Sequence, residues 1–319
     1  MPQESKNWKY KVIKPRKLWT QIGLPLALYS QRLRPKVFFT PSHYAPRFSP
    51  VPTAISIMDV AYLRFPELFT KHDLYQLTNW TKYSVRQAKR IFTISESSKN
   101  DIINQYHISP EKVVVTYPGI KILKRKNKNE NMEELKKKFN ISRNYVLFVG
   151  TLQPRKNVAR LIDAFAKLRN EDLDLVLVGK KGWLYEEILE APKKFNVADK
   201  VKFLDFVSDE DLPGLYQNAL VYVLPSLYEG FGLPVLEAMK YGCPVITSNI
   251  SSLPEAGGDA AVYVDPTDSN DIAKKIEEVI SNESLRESMI EKGYMQIKKF
   301  DWKKTAGQTL EVLEEIANK

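Results

Sequence analysis

LPSLYEGFGLPVLEAMKYGCPVITSN, residues 224–249, is the stretch from which the fold is read. It enters from an apolar run, ALVYVLP (219–225), and leaves through another, CPVITS (243–248). Between them lie a polar loop with two glycines and a helical segment, LPVLEAMKYG. Strand, loop, helix, strand is the repeating unit of a parallel sheet, whose strands need a crossover between them. Glu229 stands just before the glycine turn, and Glu237 follows eight positions later on the helix. Ligands in open parallel sheets sit at the carboxyl ends of strands, which is where the Glu229 loop falls.

The same unit repeats on both sides. YVLFVG (145–150), LDLVLVG (173–179), VKFLDFV (201–207) and AAVYVD (260–265) read as further strands, with helices over 157–169 and 183–190. Their near-continuous Val and Leu content fits strands covered on both faces, so the expected fold class is α/β and doubly wound. The first third of the chain gives shorter signals. KVFFTP (36–41), TAISIMD (53–59), RIFTIS (90–95) and VVVTY (113–117) read as strands. Residues 71–90 and 97–106 read as helices, the second capped by Ser95 or Ser97. Residues 268–297 read as helical, and a last helix is expected over 303–318, after Trp302. The expected division is 1–118, a polar linker region at 119–143, and 144–300, with 301–319 returning to complete the first part.

The chain has 319 residues, enough for two ordinary domains, and 43% of them are hydrophobic, enough for a substantial core. The single cysteine, Cys243, excludes an internal disulfide and fits a reducing compartment. No apolar run is long enough to span a bilayer, and the opening residues have no compact apolar segment like a signal peptide. A cytoplasmic location is the expectation. The net charge of +10 is uneven: residues 1–36 carry nine Lys or Arg against one Glu, and residues 119–138 carry eight. Such patches suit solvent, an anionic membrane or nucleic acid. Trp8, Tyr10, Leu18 and Trp19 among the first basic residues resemble interfacial anchors, while no nucleic-acid-binding module is visible, so no specific nucleic acid is expected.

Two more loops follow strands in the second half. GTLQPRKN (150–157) offers Gly150 for a tight backbone path, then Arg155 and Lys156 beside a helix start. Helix N–H groups and two cations together suit a diphosphate; the plainer reading is two solvated basic residues. VGKKG (178–182) offers Lys180 and Lys181 to the same pocket or to water. In the third loop Gly230 and Gly232 permit close approach to a ligand, and the N–H groups of Phe231, Gly232 and Leu233 suit a polar group. Glu229 and Glu237 suit sugar hydroxyls. Their plainer readings are a helix-dipole partner and a solvent-facing helix residue.

The run LPSLYEGFGLPVLEAMKYGCPVITSNISSLPEAGGDAAVYVDP, with GTLQPRKN and FTISESSKNDI, resembles the retaining, nucleotide-sugar-dependent glycosyltransferases of GT-B type, family 4. The resemblance spans nearly the whole chain. It implies two Rossmann-like domains facing across a cleft, with the donor on the C-terminal one. It implies that Glu229 contacts the donor sugar and Glu237 the ribose, and that Arg155 and Lys156 hold the diphosphate and offset charge on the leaving group without a metal. DLD (172–174) is then a structural segment, not a metal site. DVAYLRFPE and GTLQPRKN look most like mannosyltransferase-type relatives, so the expected donor is GDP-mannose, with a UDP-hexose as the other option. The expected acceptor is a saccharide or lipid-linked saccharide of surface polysaccharide or lipopolysaccharide assembly, met at the inner membrane face.

Two departures stand out. Relatives open with a strand and a glycine-rich loop that this sequence lacks, so a shortened N-terminal sheet is expected. Relatives also carry His-Asp where this chain has Met58-Asp59, and a thioether cannot replace an imidazole in a hydrogen bond. His43 is a candidate for the cleft, and Ser95-Glu96 resemble the family's Ser-Glu pair, which borders the cleft or caps a helix. These departures keep a second reading open, a noncatalytic nucleotide-sugar-binding or partner subunit.

Overall fold

A computed structural model describes residues 4–6, 9–14, 18–30, 35–121 and 132–318. Trp8, the basic residues Arg16, Lys17, Arg32 and Arg34, and most of the basic stretch before Met132 lie outside the described residues. Among the described residues, ten strands form two wholly parallel sheets. The first contains β1 (Phe38–Thr40), β2 (Thr53–Ser56), β3 (Arg90–Thr93) and β4 (Val113–Val115), in that order. The second contains β5 (Asn144–Val149), β6 (Leu173–Val178), β7 (Val201–Leu204), β8 (Val221–Leu224), β9 (Val245–Ser248) and β10 (Ala261–Val264), in the order β10-β9-β8-β5-β6-β7.

The second sheet is the doubly wound arrangement that the apolar runs implied. All six residues of β6 are buried, because helices cover both faces. Its strand order reverses between β5 and β8, which pair through Val146 with Val221 and Leu147 with Tyr222. A crevice opens at such a reversal, because the connections leave it toward opposite faces. The loops that follow these two strands are GTLQPRKN and SLYEGFG.

Alternation along the first sheet sorts its side chains into two layers. Ile55, Ile91 and Val113 face Val85 and Ile102 from the Lys71–Gln87 and Glu96–Tyr106 helices. Ala54 and Phe92, one position out of phase, pack with Ile316. Ile316 belongs to the last helix, Trp302–Ala317, so the end of the chain covers the open face of the first sheet. The two crossings between sheets touch: a Cβ on Gly119 would lie 2.3 Å from the backbone nitrogen of Trp302. Thr305 also donates to the Tyr117 carbonyl.

Several boundaries differ from the sequence reading. The region read as a linker contains a helix, Met132–Phe139, whose Leu135 is buried in the second core. The 268–297 segment is two helices, Ser269–Ser281 and Glu283–Gln296, divided at Asn282. Asn282 leaves the helical region and its side chain accepts from Leu285 N at 3.0 Å, capping the second helix. The helix expected at 183–190 begins at Glu186, because Trp183 and Leu184 belong to the loop after β6 and Leu184 takes a positive φ of 54°. Ser95, rather than Ser97, caps Glu96–Tyr106, accepting from Ser98 N at 3.0 Å.

Candidate active site

The loops after β5 and β8 are stitched together at the reversal. Leu227 N donates to the Arg155 carbonyl at 2.9 Å, and Asn157 Nδ2 donates to Pro225 O at 2.9 Å and Pro266 O at 2.7 Å. Glu229 is only 6% exposed. Its Oε1 accepts from Lys156 Nζ at 2.5 Å and Ser226 Oγ at 2.6 Å, and its Oε2 from Arg155 Nη1 at 3.2 Å. Burial pushes this carboxyl up, but the Lys156 and Arg155 charges and these hydrogen bonds outweigh burial and hold it below the ordinary glutamate value. Arg155 also donates to the Tyr228 carbonyl. The backbone is fixed as firmly: Glu229 N donates to Ser251 Oγ at 3.1 Å, and Ser252 Oγ donates to Glu229 O at 2.8 Å.

Glu237 is in a different environment. It lies in the Leu233–Lys240 helix and accepts from Tyr216 Oη at 3.2 Å. Burial raises its pKa, and the Tyr216 hydrogen bond only partly opposes this. The two carboxylates are therefore not a pair: one is ion-paired in the loop, and the other is half-buried on the helix behind it.

Gly232 begins that helix at φ 101°, a conformation that L side chains rarely adopt. Gly230 is required by proximity instead. A Cβ there would lie 3.0 Å from Asp59 Oδ2 and 3.2 Å from Met58 O, at the end of β2 in the other sheet. The Phe231 side chain turns away into the junction, with its ring 5.8 Å from Tyr117 and 5.3 Å from Phe300. Leu233 remains exposed. The tight path after β5 belongs to its neighbour: Gly179 has φ 152°, and its Cβ would lie 1.9 Å from Gly150 O. A Cβ on Gly150 itself would meet the Phe148 ring at 3.3 Å. Lys180 and Lys181 do not join Glu229; they lie over the Phe206 and Tyr185 rings at 5.1 and 5.6 Å. Asp174 of DLD is fully buried and bonded to Arg143 at 3.1 Å and Ser142 N at 3.3 Å, a structural role.

The first sheet presents its strand ends to this loop. Ser95 Oγ and Ser98 Oγ donate to Gly230 O at 2.7 and 3.2 Å, so the Ser95 helix cap also anchors the glycine turn. Tyr228 Oη donates to Asp101 at 2.9 Å. Glu255 accepts from Glu96 N and Ser97 N at 2.7 and 2.8 Å, offsetting the positive end of the Glu96–Tyr106 helix. Met58 is exposed here, and Asp59 caps the next turn through Ala61 N at 2.9 Å. His43, in the loop after β1, is close enough for the Asp59 charge to act on it. Burial nevertheless dominates and lowers its pKa, so the imidazole is neutral at pH 7. Sequence reasoning missed Ser226, Ser251, Ser252 and Glu255. Ser226, three positions before Glu229, offered a local signal; Glu255 offered none, because its side-chain partners Glu96, Ser97 and Tyr117 lie 138 to 159 residues away.

Two parallel-sheet α/β domains with a cation-carboxylate cluster at the reversal of one, facing the strand ends of the other, define a GT-B glycosyltransferase architecture. Residues 131–296 match the family model described as Glycosyl transferases group 1, and residues 8–122 match Glycosyltransferase Family 4; the chain belongs to this family. It is 33% identical over 256 residues to the O-antigen chain mannosyltransferase B of Escherichia coli, covering 79% of this chain and 67% of that protein. It is 30% identical over 262 residues to the serotype-specific mannosyltransferase WbdA of Escherichia coli, covering 75% of this chain but only 32% of that protein. Among solved structures, Anabaena HepE in complex with UDP and glucose superposes with a TM-score of 0.71 at 23% identity, covering 83% of this chain and 72% of HepE. WaaG, a glycosyltransferase involved in lipopolysaccharide biosynthesis, superposes with a TM-score of 0.68 at 19% identity, covering 90% and 79%. The fold is thus GT-B.

Proposed function

We propose that this protein transfers a mannosyl residue from GDP-mannose to a saccharide or lipid-linked saccharide acceptor in O-antigen or lipopolysaccharide assembly. The observation that carries the reading is Glu229, held by Arg155 and Lys156 at the sheet reversal and facing the other domain. With a donor bound, the two cations turn to its diphosphate, where negative charge grows as the glycosidic bond breaks. Once turned to the bound donor, they stabilise that charge with no further reorganisation as the bond breaks, and a bound metal is not needed for it. Glu229, freed from part of its ion pairing, accepts from sugar hydroxyls. Glu237 accepts from the ribose diol.

Retention of anomeric configuration is part of the proposal. The acceptor attacks from the face the diphosphate leaves, and the leaving phosphate oxygen takes the acceptor proton. The relatives' names support mannose as the sugar. The base and the stereochemistry rest on the family resemblance.

A cytoplasmic protein resting on the inner membrane face is the matching location. No helix among the described residues is long and apolar enough to cross a membrane. Leu18, Trp19, Ile22, Leu26 and Tyr29 are exposed on the N-terminal helical turns of a basic segment, which suits an anionic lipid surface.

Calorimetry with GDP-mannose, UDP-glucose, GDP and UDP tests the donor. Tighter binding of GDP-mannose than of GDP, lost in Glu229→Ala, is the expected result. Equal binding of all four, or binding indifferent to Glu229, overturns the donor assignment. Nucleotide-sugar binding without transfer to any mannose-terminated acceptor would favour a noncatalytic partner subunit, a reading that Met58 in place of an imidazole keeps in view.

A further inference from the structure

The helix Glu96–Tyr106 of the first domain does not supply all the acceptors its own first turn needs. The N–H groups of Glu96, Ser97 and Ser98 precede the first intrahelical bond, which runs from Lys99 N to Ser95 O at 3.0 Å. Of the three, the Ser95 cap serves only Ser98 N. Glu96 N and Ser97 N go to the second domain, one to each oxygen of Glu255, at 2.7 and 2.8 Å. Tyr117 Oη, in the crossing that leaves the first domain, donates to the same carboxylate at 2.9 Å. Every side-chain bond of Glu255 thus reaches out of its own domain, and its charge meets the positive end of a helix it does not belong to.

We propose that Glu255 is a positioning residue: as the missing cap of the Glu96–Tyr106 helix, it sets the first domain at a fixed place against the Glu229 turn. The catalytic consequence rests on the glycosyltransferase reading; the coupling of the domains does not. Separating the two domains leaves Glu96 N and Ser97 N without their acceptor and Glu255 without its donors. Water can replace these partners, but it supplies neither the negative charge nor the fixed geometry of a carboxylate that takes two adjacent N–H groups at once.

The chain around Glu255 makes the coupling direct. Ser251 and Ser252, a few positions earlier, hold the backbone N–H and carbonyl of Glu229. Leu253 packs under the glycine turn, where a Cβ on Gly232 would lie 2.8 Å from its Cδ2. Five consecutive residues therefore grip the Glu229 turn at one end and the first domain at the other. The Glu255 backbone is fixed from behind: Gln296 Nε2 donates to Glu255 O and Ala256 O, both at 3.1 Å, and Lys299 Nζ holds Gln296 Oε1 at 2.7 Å. Gln296 and Lys299 lead into the second crossing, and Tyr117 stands in the first, so both crossings converge on this residue. The Glu96–Tyr106 helix adds its own bonds to the turn, from Ser95 and Ser98 to Gly230 O and through Asp101 to Tyr228.

The test compares wild type, Glu255→Ala and Glu255→Gln by three measurements: GDP affinity, radius of gyration by small-angle scattering, and kcat and donor KM for mannosyl transfer. In Glu255→Ala the radius should rise and kcat fall by roughly tenfold or more, as when a reacting group is misplaced, with GDP affinity and donor KM unchanged. Glu255→Gln should fall between, because its amide keeps one oxygen to accept from one N–H and turns an NH2 toward the other. Sodium acetate should restore part of the lost turnover in Glu255→Ala, by returning a carboxylate to the helix end, while sodium chloride at equal ionic strength should not. A radius and kcat equal to wild type in both variants overturn the proposal. So does a loss of kcat matched by a loss of GDP affinity and indifferent to acetate, which makes Glu255 a local support of the donor loop. If wild type transfers no mannose, the glycosyltransferase reading falls, and the radius of gyration with and without Glu255 still decides the coupling.

Discussion

Glu229 concentrates the chemistry of the site in one side chain. It is buried, so its charge is tolerable only because Lys156, Arg155 and Ser226 surround it. Glu229→Gln keeps the shape and removes the charge, leaving two cations without their counter-ion. The expected cost is on the order of 3–5 kcal/mol in urea unfolding, as when one partner of a buried pair is removed. Transfer should fall by roughly two orders of magnitude or more, as when a preorganised charge partner is lost. Unfolding midpoints that coincide with wild type would contradict this account. The pH dependence has opposite signs at the two glutamates. Glu229, held low, gives stability that is complete above the ordinary glutamate value and lost as pH falls through its lower folded value. Glu237, pushed up by burial, costs stability as pH rises through its raised value and costs nothing well below it. Glu237→Gln should therefore be no less stable than wild type at about pH 7.5, with the difference vanishing near pH 4. It should nevertheless bind GDP roughly tenfold more weakly, because a charged acceptor for the ribose diol is gone. Tighter nucleotide binding by the variant would refute the ribose role.

At the scale of elements, the glycine turn is a joint between domains as much as a ligand loop. Gly230→Ala places a methyl group 3.0 Å from the Asp59 carboxylate, and the turn is held from the same side by Ser95 and Ser98. The expected loss is about 1–3 kcal/mol, as for other overpacked contacts, together with loss of transfer. Full activity in this variant would show that the two domains do not meet there during turnover. The N-terminal helix gives a separate expectation: Trp19→Glu with Leu26→Glu should abolish sedimentation with phosphatidylglycerol vesicles while leaving GDP affinity intact. Unchanged sedimentation would count against the membrane contact. The sequence made the second sheet and the Glu229 loop legible because its central strands β6, β8 and β9 are buried along their whole length and write apolar runs. The first sheet was harder to bound. Its strands are three or four residues long, and β1 is only partly buried. Gly150 was read as the tight backbone position, but the strain lies at Gly179, because the closest approach is between two loops and not within one. Trp183 was absorbed into a predicted helix, since nothing local shows that its ring faces another domain.

Over the whole molecule, the last helix belongs to the first sheet by packing, although it follows the second in sequence. Ile316 fills the layer made by Ala54 and Phe92. Ile316→Ala should cost about 2 kcal/mol, the low end for a buried aliphatic truncation, and lower the melting temperature without changing GDP affinity. A change in GDP affinity instead would show that this packing reaches the donor loops.

The touching of the two crossings at Gly119 and Trp302 has a mechanical consequence. Two separate tethers would let the halves shear past each other; two strands of chain pressed together act as a single spine, like the binding of a book. Such a spine favours rotation of the halves about it over sliding. Phe231, packed on Tyr117 and Phe300 beside the spine, then travels little as the covers part. On a rotation about that spine, contacts farther out, such as Phe69 against Trp183, would separate more than those beside it.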